Sequence, residues 1–134
     1  MEDKKQAEMQ QKMVLYQLLQ RHLEELKQKA ILAENRFLEI QTTKEALKDL
    51  SPGKEMLVPL GSGCYTKSKT AEKAEILVDL GSGLVAKKGE KDLEDFLKKQ
   101  EREMELTSKK VQEEMLGVAN QLNALIQELE QLQK

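Results

Sequence analysis

From Asp3 to Leu50 the apolar residues recur at alternating steps of three and four: Tyr16, Leu19, Leu23, Leu26, Ala30, Ala33, Phe37, Ile40 and Leu47, with Lys44 the one polar occupant. Steps of three and four average close to one helical turn per residue pair, so these side chains form a single stripe, the seam of a coiled coil. No glycine or proline interrupts the stretch, and its Leu, Gln, Glu, Lys and Ala are good helix formers. Pro52 disfavours helical geometry at Ser51, and Gly53 permits the turn that follows. The pattern predicts one helix over residues 1–50, roughly 70 Å long at 1.5 Å per residue.

A second glycine-poor segment starts near Glu90, with Asp92, Glu94 and Asp95 placed to favour the positive end of a helix. Its stripe is Met104, Val111, Met115, Val118, Leu122, Leu125, Leu129 and Leu132, with Ser108 a polar interruption. Traced backwards, the register reaches Glu101 and Leu97, so the seam is weak from Gln100 to Glu103. Gly117 costs about 1 kcal/mol relative to alanine, which a long seam absorbs. Two helices of similar length can fold back as an antiparallel pair, a rod with both termini at one end and the connector at the other. Each helix could also find its seam partner in another molecule, and periodicity does not separate the two.

The connector, residues 51–89, is rich in Val, Leu, Ile and Thr and punctuated by glycine. Glu55-Met-Leu-Val-Pro-Leu-Gly-Ser-Gly-Cys-Tyr-Thr-Lys67 repeats, at a spacing of 20 residues, as Glu75-Ile-Leu-Val-Asp-Leu-Gly-Ser-Gly-Leu-Val-Ala-Lys87. Each copy is a strand, a Gly-Ser-Gly turn and a strand, predicting two β-hairpins. Alternation puts Ile76, Val78 and Leu80 on one face of the second copy, and Met56, Val58 and Leu60 on the matching face of the first. Leu57 and Pro59 make the other face of the first copy apolar too. Two hairpins cannot bury that much apolar surface or satisfy their own edges, so assembly with other subunits through Met56, Leu57, Val58, Leu60, Ile76, Val78, Leu80 and Val85 is expected.

Composition narrows the function. The 134 residues include four aromatics (Tyr16, Phe37, Tyr65, Phe96), no tryptophan and 34% charged residues, too little bulk for a deep globular core. Charge is balanced at 22 basic against 24 acidic and is interspersed, for example at Glu24, Glu25, Lys27 and Lys29, which argues against nucleic acid as a partner. A single cysteine, Cys64, allows no intrachain disulfide. The polar start, Met1 to Gln6, leads into no signal-like or membrane-spanning run, so a cytoplasmic protein without membrane contact is expected. The Gly-Ser-Gly turns lead into strands and not a helix N-terminus, and there is no GxxxxGK[ST] pattern, so neither copy is a phosphate loop. His22 is alone beside the first seam and Cys64 has no partner motif. No catalytic, cofactor or metal site is expected.

Met1, Met9 and Met13, with Val14 and Leu15, crowd the start of the first helix. They read as seam, or as an adaptable surface for varied apolar partners, since methionine is unbranched and polarizable. Met9, Met13 and Tyr16 from one helix and Leu125, Leu129 and Leu132 from the other are the candidate contacts for such partners.

Gly53-Lys54-Glu55-Met56-Leu57-Val58-Pro59-Leu60, then Ile76-Leu77-Val78-Asp79-Leu80-Gly81-Ser82-Gly83, with Tyr65 and Asp95-Phe96-Leu97, resemble the alpha class of the prefoldin family. The duplicated hairpin points to that class, beta-type subunits having one. The resemblance implies a mostly α fold with small β: a long antiparallel two-helix coiled coil (residues 1–50 and 90–134) joined by two β-hairpins (51–89) that assemble into an intersubunit β-barrel. It further implies a complex of two alpha with four beta subunits, a holdase that works without ATP, unfolded clients held at the coiled-coil tips, and delivery to a group II chaperonin. A self-assembling filament protein and a coiled-coil adaptor for folded partners are the competing readings.

Overall fold

The structure, a computed structural model, describes residues 2–71 and 76–133; Met1 and Glu75, used above, lie outside them. Six elements follow one another: α1 (Glu2–Asp49), β1 (Glu55–Gly61), β2 (Cys64–Lys69), β3 (Ile76–Gly81), β4 (Leu84–Lys88) and α2 (Glu90–Gln133). α1 runs unbroken for 48 residues and α2 for 44, as expected of stretches without proline. Beyond α1, Lys54 Nζ donates to the carbonyl of Asp49 at 3.2 Å, occupying one acceptor that the helix end leaves open. α2 starts on Gly89, whose carbonyl accepts from Leu93 N at 3.0 Å, with Glu90 and Asp92 in the first turn facing the positive end of the dipole.

The chain divides into two compact units. One gathers residues up to Arg36 with those from Glu103 onward. The other is Phe37–Arg102. In the first unit the core is Leu26, Val111, Val118 and Leu122, with Tyr16, Leu19, Leu23, Ala30 and Met115 packed against it. These are the seam residues of both helices. The helices therefore pair within one chain, and antiparallel, because Lys12 Nζ lies 3.1 Å from Glu128 Oε2. Leu26 is 1% exposed, the most deeply buried of them.

In the second unit Ile40, Leu47, Leu93 and Leu97 are buried. Lys44 and Glu101, the polar occupants of the two seams, meet: Lys44 Nζ donates to Glu101 Oε2 at 2.7 Å, with the side chains 28% and 20% exposed. A charge pair inside an apolar seam favours the one alignment that joins its members. Leu93 continues the buried side of α2 by a step of four where three was due, because successive steps of four let the stripe drift around the helix. Lys88 Nζ sits 4.1 Å from the Phe96 ring centroid, linking the end of β4 to the first turns of α2.

β1 and β2 form one antiparallel sheet and β3 and β4 a second, with no ladder between the two among the described residues. Their registers match after the repeat offset: Met56 faces Ser68 and Val58 faces Thr66, as Ile76 faces Lys88 and Val78 faces Ala86. Each turn is a two-residue loop with positive φ at both positions, Ser62 (51°) and Gly63 (76°), then Ser82 (54°) and Gly83 (76°). Such loops match the twist of the strands, and each serine there costs about 1 kcal/mol that glycine would not. A bulge separates Pro59 from Gly61 and Asp79 from Gly81. The extra residue breaks the alternation, so Leu60 and Leu80, expected beside Val58 and Val78, are exposed, whereas Met56, Val58, Ile76 and Val78 are half-buried.

Two substitutions should move stability in opposite directions. Leu26→Ala removes the best-buried seam side chain and should lower unfolding free energy by about 2–5 kcal/mol. At Gly117 an added Cβ would meet nothing within 4 Å, so Gly117→Ala should raise it by about 0.5–1 kcal/mol. Denaturant titration followed by helical circular dichroism checks both.

Candidate functional site

With the seam fixed, the apolar residues left off it become visible. In α1, Val14, Leu15 and Leu18 are exposed beside the seam positions Tyr16 and Leu19, and in α2 Ile126 is exposed beside Leu125. Leu15 and Ile126 each line a shallow groove, Val14 lines a third with Ala7, Gln10 and Gln11, and Leu18 stands outside all three. Leu15, Leu19, Ala124 and Leu125 line the first, rimmed by Gln121 and Glu128. Met13, Tyr16, Ile126 and Leu129 line the second, rimmed by Gln17, Gln20, Glu130 and Gln133. These two have apolar floors and polar rims.

The six residues expected to contact partners fall into three settings. Met9, Tyr16, Leu129 and Leu132 are half-buried on the seam; Tyr16 also accepts a hydrogen bond at its hydroxyl from Gln20 Nε2 at 2.9 Å. Leu125 is 4% exposed and is core, supporting a groove from beneath. Met13 is 52% exposed and lies off the seam. The reason is spacing: four back from Tyr16 is position 12, so Lys12 takes the seam and Met13 is turned aside. Leu18 and Ile126 lie outside the three-four periodicity of either helix. The signal for them is the complementary one, apolar residues that do not fit the stripe.

Lys12 lies between Glu8, at 3.2 Å, and Glu128. The hydrogen bond that Lys12 donates to Glu128 holds its ammonium above the usual 10.5; desolvation opposes it, and the bond donated to Glu8 adds to it.

The second exposed surface is on the hairpins. Leu57 is 64% and Leu77 62% exposed, with Leu60, Tyr65, Leu80, Leu84 and Val85 also exposed. Val58 and Val78 cover the opposite face of each hairpin. Cys64 is exposed at the start of β2, and His22 on α1 is exposed as well. Among the described residues, no three His, Cys, Asp or Glu side chains are grouped to hold a metal, and no helix is long and apolar enough to cross a membrane.

The family model described as prefoldin subunit matches residues 17–134, which spans both helices and both hairpins. The chain belongs to the prefoldin family. A prefoldin subunit alpha of Thermofilum pendens is 30% identical over 118 residues, 86% of this chain and 88% of that one. Another, from Pyrococcus horikoshii, is 27% identical over 123 residues, 89% and 83% of the two chains. The cryo-EM structure of filamentous PFD from Methanocaldococcus jannaschii shares the fold, with a TM-score of 0.66 at 17% identity over 89% of this chain and 98% of that one. These similarities bear out the alpha-class resemblance and the fold of two long helices with two small hairpins. Prefoldin is a chaperone family whose members assemble into oligomeric complexes, and this chain is a chaperone-type subunit of it.

The Lys12 environment gives a direct check. Because its value in the folded chain is raised, the stabilisation by its carboxylate partners is fully present below 10.5 and is lost as pH climbs through the folded value. An NMR titration of the Lys12 side chain should show a midpoint above 10.5, falling back toward it in Glu128→Gln. An unchanged midpoint in that variant would mean the bond across the helices is not the cause.

Proposed function

We propose that this chain is the alpha-type subunit of an ATP-independent holdase, which captures unfolded polypeptides along the grooved part of its helical pair. The observation that carries the reading is the set of apolar side chains left in solvent beside an otherwise well-buried seam: Met13, Val14, Leu15, Leu18 and Ile126. Met9, Tyr16, Leu129 and Leu132, half-buried, add to the contact area when helix ends fray. An unfolded chain offers apolar residues in no fixed order. Shallow grooves with flexible Met and Gln side chains suit it better than a shaped pocket does.

Burying one leucine or methionine contributes about 1.5–3 kcal/mol, so a single helical pair holds a client weakly. Avidity then has to come from several subunits. The exposed hairpin leucines support assembly, through Leu57, Leu60, Leu77 and Leu80 with Val85, into a complex of two such chains with four beta-type subunits. Met56, Val58, Ile76 and Val78, already half-buried in the hairpins, back that surface. Delivery of clients to a group II chaperonin and work in the cytoplasm complete the reading, as family membership suggests. No nucleotide is needed, since each Gly-Ser-Gly turn joins two strands and makes no helix N-terminal phosphate site.

Two variants separate the surfaces. Replacing Met13, Leu15, Leu18 and Ile126 with glutamine should abolish suppression of aggregation of several unrelated denatured proteins, with or without ATP, while the oligomer mass is unchanged. Full protection by that variant would refute the groove assignment. Leu57→Asp combined with Leu77→Asp changes residues that are exposed in the lone chain, so stability should shift by no more than about 0.5 kcal/mol per site while the oligomer dissociates. An unchanged oligomer mass would refute assembly through the hairpins.

A further inference from the structure

The stretches that form the grooves differ from the rest of the helices in charge. Between Met9 and Gln20, Lys12 is the single charged residue, and Met115 to Gln127 carries none, in a chain of which 34% is charged. Antiparallel pairing brings both windows into the same compact unit. Glutamine takes the place of charge there. Nine of the chain's thirteen glutamines fall in its first 20 or last 14 residues. Helix propensity does not explain the choice, because Glu, Lys and Arg are comparable helix formers. Nor does solubility, which charges such as Glu24, Glu25, Lys27 and Lys29 supply further along.

The glutamines stand at the grooves. Gln17, Gln20 and Gln133 rim the one floored by Met13, Tyr16, Ile126 and Leu129, Gln121 rims another, and Gln10 and Gln11 line the third. All six are exposed. Gln20 Nε2 donates to the Tyr16 hydroxyl at 2.9 Å, which uses one of that amide's two N–H donors. Gln17 and Gln20 are three residues apart on one helix, so their Cβ atoms lie about 5–6 Å from each other. An extended chain presents backbone N–H and C=O groups on one edge at every second residue, a step of about 6.6 Å. Long, flexible side chains bridge the difference.

A client that covers a groove also covers its rim. A buried amide without a partner costs free energy, and a buried charge costs far more. The rim therefore favours an occupant that answers its amides with donors and acceptors. An unfolded segment does so, since its backbone N–H and C=O groups are unpaired. The apolar face of a folded helix does not, because its backbone groups are already bonded to one another. We propose that Gln17, Gln20 and Gln133 are specificity-determining residues, whose amides hydrogen-bond the free backbone of an extended client segment while its apolar side chains enter the groove floor. The inference rests on client capture at the grooves and adds that the rim reads unpaired backbone as well as apolar surface. The ligand class is an extended apolar segment with no requirement for charge.

Replacing Gln17, Gln20 and Gln133 with methionine keeps side-chain length, removes the amides and enlarges the apolar surface. In the complex with a co-expressed beta-type prefoldin subunit, binding of reduced, carboxamidomethylated lactalbumin, which cannot refold, should weaken at least about threefold, the effect of one or two hydrogen bonds. Binding of a hydrocarbon-stapled leucine-rich helix should tighten instead. Equal or tighter binding of the unfolded probe by the variant overturns the proposal, as does a change of the same sign for both probes. The wild-type chain gives a reading that needs no variant. Its Gln17, Gln20 and Gln133 side-chain N–H signals should shift in NMR when the unfolded probe is added, and signals that stay in place overturn backbone recognition by the rim. A wild-type complex that binds neither probe overturns client capture itself, a result distinct from unfolded-probe binding that survives the loss of the amides.

Discussion

Burial of the three-four stripe is the interaction on which the other features rest. Neither helix has a core of its own, and a lone helix of this composition would leave every seam leucine in water. Pairing within the chain puts Leu26 among Val111, Val118 and Leu122, and so decides which side of each helix is spent on folding. Everything off that side is left for solvent or for partners. Met13, Leu15, Leu18 and Ile126 are exposed because the seam geometry has no room for them.

The hairpins obey the opposite economy. Each is a two-stranded sheet, too small to be independently stable. Met56, Val58, Ile76 and Val78 gain partial cover, with Ser68, Ala86 and Lys88 opposite them, and the leucines on the other face and in the bulges stay exposed. The chain thus buries one apolar face internally and leaves a second, on the hairpins, exposed. That division suits a member of a family that assembles into oligomeric complexes.

Much of this could be read directly from the sequence. The steps of three and four located both helices, and the repeated Gly-Ser-Gly located both turns, because each pattern reflects a local constraint: helical periodicity in one case, positive φ in the other. What escaped depended on neighbours. Lys44 stood out as a polar break in one stripe and Glu101 as a weak point in the other, but nothing local says that they meet. Leu60 and Leu80 look like continuations of an alternating strand, and only the bulge before each turn, a property of the strand pair, turns them out. Met13 suits a seam by its chemistry, but the spacing favours Lys12.

The contact between Lys44 and Glu101 also limits how this sequence can change. Replacing either residue alone leaves the other charge half-buried and unmatched, a state costlier than the intact pair. Replacing both with leucine would simply extend the apolar stripe. Single steps are thus penalised where the double step is not, and two positions 57 residues apart in the chain behave as one site under substitution. The cost of passing through a mismatched intermediate, more than any strength of the ion pair, is what would preserve it.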